Sequence, residues 1–382
     1  MDIKNKNLAA ILAVMSGFFI MGFVDVAGIA SSYVKRDFEL SDTLANLLPM
    51  LAFFWFIILS VPTGILMGRI GRKNTALLAF AVTVVATVCP LVSYSFGSIL
   101  LSFALMGMGN TMMQVSFNPL LTNVVSENKL TSFLTLGQFT RSIASFLGPI
   151  IAGVVAFRFH DWKFIFVVYT VITLLCMCWL YFTTIIPEKR GELTITFAST
   201  FSLFKDGRIL ALFFGILAFV GIDVGVNTAI PKFLIAQAGL ELDRAGLGTS
   251  LYFAARMIGS LGGAMLLLRW SAVKYFRWST IVLTVVFIGL LLAADLPVML
   301  VLIFIMGLVC ANIFSIVLGL ALQHRPDRAN EVTAIVLMGV AGGALTTPFM
   351  GMMADYAGQV AGMAVLLVCI FYLLILSLRL KV

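Results

Sequence analysis

Apolar residues in this chain gather in long runs separated by short polar connections, and the pattern holds from one end to the other. A hydrocarbon layer ~30 Å thick takes about 20 predominantly apolar residues to cross as a helix. Runs of that order lie at 8–33, 43–69, 74–96, 98–125, 131–157, 162–186, 209–239, 246–270, 277–294, 297–322, 331–354 and 360–379. Backbone groups in lipid must be satisfied internally, so these runs predict helices; barrel strands would be about 10 residues long and would alternate. The expectation is an all-α polytopic membrane protein with twelve transmembrane helices. The first run carries Asp25 and continues too long for a cleavable signal peptide.

The one long hydrophilic connection, at about 187–208, falls near the midpoint. It divides the chain into an N-terminal six-helix half (1–186), a linker (187–208) and a C-terminal six-helix half (209–382). The second part of the linker, Phe201 to Arg208, is mildly amphipathic and reads as lying on a membrane face. The halves also resemble each other at offsets near 200. Gly107 and Asn110 answer Gly307 and Cys310, Gly148-Pro149 answers Thr347-Pro348, and Gly64 before Arg69 answers Gly263 before Arg269. The same offset relates two buried acids in similar settings, Asp25 between Gly22 and Gly28 and Asp223 between Gly221 and Gly225. An ionisable group at a helix centre costs on the order of 2.5–3.5 kcal/mol on insertion scales, which marks it as functional. Two of them at matching places predict a polar site between pseudo-symmetric halves, the architecture of a transporter.

Composition sharpens this picture. The chain is 61% hydrophobic and 11% charged, against roughly 45–50% and about 25% in soluble domains. Its net charge of +8 is unevenly spread. Seventeen Lys and Arg lie in segments on the side of the termini, among them Lys4, Lys6, Lys129, Lys189, Arg190, Arg269 and Lys381, against five (Lys35, Arg36, Arg158, Lys163, Arg244) on the other. The bias places both termini in the cytoplasm of a bacterial inner (plasma) membrane. The basic balance is thus explained by orientation and by anionic lipid, with no nucleic-acid partner. All five cysteines fall within spans, so no disulfide framework is expected.

The candidate chemistry sits in the spans. Asp25 and Asp223 are the proton-coupling candidates, with Arg141, Arg256 and Lys232 as buried bases and Gln114, Asn118, Gln138 and Asn227 as polar company. Two acids and two or three bases can pair in alternative ways, which suits a switch between conformations; the competing reading is a pair of fixed ion pairs that set helix register. Lys232 follows Pro231 near the end of its span, where it either contacts substrate or snorkels to the interface. His160 and His324 lie in loops, so no metal site or histidine relay is expected, and no catalytic motif, cofactor loop or soluble domain marks an enzyme.

The loop after the second run, with Gly64, Arg69, Gly71, Arg72 and Lys73, resembles the cytoplasmic gate motif of the major facilitator superfamily, with Gly68 in place of its usual acid. Within that superfamily the stretch from Val336 through Pro348 and Asp355 to Gly358 resembles the eleventh helix of the fucose–galactose–glucose:proton symporters, the fucose permease group. Arg256 with Gly259, Asn118-Pro119 and Gln138 also match that group, and Asp25 aligns with its first-helix aspartate. The resemblance implies a monomer that imports a sugar with protons by alternating access, with Asp25 serving both substrate and proton. Joined to the buried polar residues above, it leaves Asp25, Gln114, Asn118, Gln138, Arg141, Asn227, Lys232 and Arg256 as the expected substrate-binding set. Three departures stand out. Gln114 replaces a glutamate, Arg141 replaces an asparagine, and Asp223 lies where the group has a neutral residue. Arg141 keeps a sugar acid or other organic anion open as substrate. Gly148-Pro149 to Gly153 keeps open a drug or metabolite exporter, although Gly137 and the rest of that antiporter motif fit incompletely.

Overall fold

A computed structural model describes residues 3–121, 123–125, 127–159, 161–185, 201–267, 270–325 and 328–380. The linker stretch 187–200 with Lys189 and Arg190, the loop histidine His160, and the cations Arg269 and Lys381 lie outside the described residues, as do the side chains of Lys4, Lys6 and Lys129.

Twelve helical spans make up the bundle. The first six are Ile3–Met21 with Gly22–Val26 and Ala27–Asp37, Asp42–Ala45 with Leu47–Ile70, Arg72–Val92, Phe96–Leu121, Glu127–Phe159 and Phe164–Phe182. The second six are Gly207–Ala238, Leu242–Leu267, Ala272–Leu292, Leu296–Cys310 with Ile313–His324, Ala329–Met338 with Gly339–Ala341 and Gly342–Ala357, and Gln359–Ala364 with Leu366–Arg379. Among the described residues, eleven are long and apolar enough to cross a membrane. The eighth, at 26 residues, lies in length between its neighbours of 32 and 21, but Arg256 and its glycines lower its hydropathy. Because the spans alternate in direction, both termini reach one end of the bundle, here the terminal end; the other is the far end.

The linker's second part is helical at Phe201 and Ser202 and continues as a 3-10 turn, Leu203–Lys205, with Leu203 buried and Phe201, Ser202 and Lys205 exposed. Asp206 then caps the seventh span by accepting from the N–H groups of Arg208 and Ile209, because an N-cap carboxylate satisfies donors that the first helical turn leaves unpaired. The two aspartates also differ in backbone. Asp25 sits in the 3-10 turn Gly22–Val26 that breaks the first span, whereas Asp223 lies inside the unbroken helix Gly207–Ala238.

Close helix crossings fix the repeat in space. A Cβ on Gly107 would collide with the carbonyl of Ala52, and a Cβ on Gly307 with that of Tyr252, so spans four and two cross as spans ten and eight do. Small residues at such points let backbones approach within membrane bundles. A second recurrence links opposite ends. Gly64, Gly68 and Gly71 at the terminal end share the spacing of Gly351, Asp355 and Gly358 at the far end, and the last glycine of each turn has positive φ, +88° and +85°.

The eleventh span packs against the seventh through Gly342, whose added Cβ would strike the Leu217 carbonyl, while nothing lies within 4 Å of one on Gly319. Gly342→Ala should therefore lower stability by about 1–3 kcal/mol through overpacking, and Gly319→Ala should leave it unchanged or raised. Thermal unfolding of the detergent-solubilised variants checks the pair.

Candidate functional site

Glycines on both sides of the broken turn allow other spans to reach Asp25. A Cβ on Gly22 would lie 2.6 Å from the Arg141 carbonyl, and one on Gly28 would lie 2.6 Å from the Asn227 side chain. Spans five and seven can therefore close on the turn from opposite sides. From span five, Ser145 Oγ donates to Asp25 Oδ2 at 2.5 Å, and Arg141 Nη2 lies 3.5 Å from Oδ1. From span seven, in the other half, Asn227 Nδ2 donates to the Asp25 carbonyl at 2.8 Å. The carboxylate is held by a hydroxyl and only loosely by its guanidinium.

The second acid is clamped more tightly. Arg256 Nη1 lies 2.6 Å from both oxygens of Asp223, and Tyr252 donates its hydroxyl to Oδ1 at 2.7 Å. Tyr252 and Arg256 are four residues apart on one helix, which places them on one face. Each acid thus has one arginine and one hydroxyl, and the two pairs sum to zero formal charge. Such charge-assisted contacts are strong in a low dielectric, yet removing one member leaves an uncompensated charge.

The remaining sequence candidates divide by position. Gln138, Arg141 and Ser145 share a face of span five by their spacing of three and four, and Gln138 is exposed one turn closer to the terminal end. Gln114 is buried with its Nε2 unpartnered, while Asn118 turns back to donate to the Gln114 carbonyl at 2.9 Å. Lys232 neither reaches these groups nor snorkels. It is 7% exposed, donates to Asn46 Oδ1 at 2.6 Å and lies 3.1 Å from Asp42. Of the gate motif, Gly64 is buried and Arg69 exposed. Past the Gly71 turn, Arg72 holds Asn123 at 2.7 Å and the Pro119 carbonyl at 3.2 Å. Lys73 holds the carbonyls of Tyr181 and Thr183 at 2.9 and 2.7 Å, where span six ends. A cation at a helix C-terminus complements the dipole, and here the cations tie spans three, four and six of one half together.

Sequence reasoning missed the residues that seal the far end. Asp355 accepts from the N–H groups of Asp42 and Thr43 at 2.6 and 2.8 Å and from Thr43 Oγ1 at 2.5 Å, so span eleven caps the start of span two. Asp42 also binds Lys35 at 2.6 Å and Gln359 at 2.6 Å. Tyr33 donates to Asp243 at 2.7 Å. These residues stand at span ends, where a polar residue looks like ordinary loop chemistry. Ser145 and Tyr252 were recoverable, since each lies four residues from an arginine already singled out.

Comparison with known proteins gives a consistent picture. A family model described as Major Facilitator Superfamily matches residues 9–339. A Helicobacter pylori (strain ATCC 700392 / 26695) protein provisionally described as a glucose/galactose transporter is 23% identical over 403 residues and covers 98% of both chains. The hexuronate transporter of Bacillus subtilis (strain 168) is 22% identical over 277 residues, 68% of this chain and 64% of its own. The E. coli fucose:proton symporter superposes with a TM-score of 0.72 at 15% identity, covering 99% of this chain and 100% of its own. A bacterial homologue of the human lysosomal transporter Spinster, inward-facing and unoccupied, gives 0.77 at 15% identity, with 98% of both chains covered. These structures share the twelve-helix fold.

The unequal grip on the two acids has a measurable consequence. Arg256→Gln should destabilise the protein by about 3–5 kcal/mol because it strands Asp223. Arg141→Gln should cost clearly less, since its ion pair is the longer one, 3.5 Å against 2.6 Å. Comparing the two melting temperatures with that of the Asp223→Asn/Arg256→Gln double variant, which should recover much of the loss, checks the assignment.

Proposed function

Since this chain belongs to the major facilitator superfamily, we propose that it is a secondary active transporter importing a neutral sugar together with protons by alternating access. The reading rests above all on the two acid–arginine–hydroxyl clusters, one contributed by each half, at the level where the first span is broken. Broken helices and midplane charges are how transporters of inverted-repeat design build their sites. The halves 1–186 and 209–382 rock about this site as two bodies, joined by 187–208.

The far-end seal and the exposed Gln138 describe the stage at which the site communicates with the terminal end. We place that end in the cytoplasm on the positive-inside charge bias, in a bacterial inner membrane and as a monomer, so this is the release stage of uptake. Each acid and its arginine belong to the same half, so they part through a shift of spans within a half as the passage opens. A lone carboxylate is costly in a dry site, and a proton is the counter-charge that restores neutrality. Asp25 fits this role better than Asp223, because its ion pair is the longer one.

Charge balance favours a neutral sugar, since both arginines already have acids. The named relatives include a glucose/galactose transporter and a fucose:proton symporter, which agree with that choice. The loosely held Arg141 and the hexuronate relative carry the second reading, a sugar acid whose carboxylate takes the guanidinium from Asp25.

Energised membrane vesicles test both. Asp25→Asn should abolish accumulation of sugar against a gradient while leaving exchange of labelled for unlabelled sugar; normal accumulation by this variant would refute the coupling role. In a binding screen of matched neutral and acidic sugars, wild type should prefer the neutral member and Arg141→Gln should keep that preference. Acidic sugars bound alone, and lost in the variant, would establish the second reading instead.

A further inference from the structure

We propose that Asn110, in the middle of span four, is a specificity-determining residue that binds a pair of neighbouring hydroxyls on the sugar beside Asp25. This inference deepens the sugar-transport reading and rests on it. Asn110 is 2% exposed, and neither its Oδ1 nor its Nδ2 has a hydrogen-bond partner. Among the described residues it is the one buried amide of which both ends are unmet. A buried donor or acceptor left unsatisfied is costly, so the position asks for a ligand that both accepts and donates.

Two independent lines put Asn110 at the level of Asp25. Phe117 packs edge-on against Phe18 and closes on Gly17, which aligns span four with the antiparallel span one at that height. Seven residues from there along each helix, 117 − 7 and 18 + 7, lead to Asn110 and Asp25. Seven residues are two turns with only ~20° of drift, so Asn110 also keeps to the side on which Phe117 meets span one. The internal repeat gives the second line. Gly107 meets Ala52 as Gly307 meets Tyr252, and three residues further on Asn110 answers Cys310. Cys310 is buried on the same face, one turn along from the crossing of Gly307 with Tyr252, and Tyr252 in turn holds Asp223. The matching place in the first half therefore faces Asp25.

The same comparison explains why the amide is unmet. In the second half, Tyr252 brings a hydroxyl between Cys310 and the acid. In the first half the equivalent residue is Ala52, whose methyl group offers no polar atom to Asn110. One turn further, Gln114 Nε2 is also unpartnered and points the same way at a spacing of four. An amide presents one acceptor and one donating NH2 side by side. Two adjacent sugar hydroxyls satisfy both, one donating to Oδ1 and the other accepting from Nδ2. A bare carboxylate offers only acceptors and would leave Oδ1 unmet, so Asn110 takes a hydroxyl pair of the sugar, whether or not the sugar carries an acid elsewhere.

The experiment measures binding of D-glucose, D-galactose, L-fucose and their singly deoxygenated analogues to purified wild type, Asn110→Leu and Asn110→Cys, together with melting temperatures. The cysteine variant copies the other half and guards against a leucine that packs poorly. The expected result is that wild type binds at least one parent sugar and loses about tenfold or more when one hydroxyl of the adjacent pair is removed. Both variants should lose a similar factor for the parent sugar and no longer distinguish it from that analogue. Variants that melt higher than wild type yet bind and discriminate as it does would overturn the inference and leave an amide hydrated by water. Wild type that binds none of the sugars would overturn the transport reading, and this inference with it.

Discussion

A charge within the hydrocarbon layer must find its counter-charge in the protein, and that requirement organises this bundle. Asp25 meets Arg141, Asp223 meets Arg256, and Lys232 meets Asp42. The first two pairs lie within their own halves and the third lies across them. Spans one and five, seven and eight, and seven and two are therefore held in register by charge as well as by packing. Such pairs are weak evidence of added stability, because desolvation cancels much of the attraction. What they do contribute is a short list of permitted arrangements.

The repeat is approximate where chemistry happens. At equivalent positions the halves place Ala52 against Tyr252 and Asn110 against Cys310. One acid sits in a broken turn and the other in continuous helix. The second half clamps its acid internally, through Tyr252 and Arg256 on one helix face, and leaves Asn227 Oδ1 unmet. The first half leaves polar atoms at Asn110 and Gln114 unanswered and holds its acid loosely. A symmetric scaffold thereby carries an asymmetric site, with the half whose acid is clamped able to serve as a fixed wall.

Much of the fold was legible in the sequence because lipid enforces long apolar runs, and the superfamily resemblance read in the loop of Gly71, Arg72 and Lys73 is borne out by the family model that matches residues 9–339. The acid–base sets at Asp25 and Asp223 were legible for the same reason, since ionisable residues stand out against an apolar background. Lys232 stood out equally, but its partner Asp42 begins span two and read as loop, so its place in the far-end seal was hidden. Asn110 was quoted only as part of a glycine-bearing repeat. Nothing in the sequence raised it to the rank of Gln114, Asn118, Gln138 and Asn227, and only the lack of partners in three dimensions sets it apart. The 3-10 turn at Asp25 was equally silent, because Gly22 and Gly28 are ordinary in membrane helices.

The cap made by Asp355 has a consequence for how the cycle keeps time. The turn that carries it has a counterpart at the terminal end with the same spacing and the same glycine conformation, but there the acid's position is Gly68, which has no side chain to reach across. One end of the molecule thus closes with a set of directed hydrogen bonds between the halves, and at the second end a glycine stands where the matching acid would be. Breaking the set must happen in one concerted movement, since a capped helix start and its carboxylate are lost together. The two doors of this passage are hung differently: one has a catch that must be lifted before it moves, and the other has no side chain at the place of that catch.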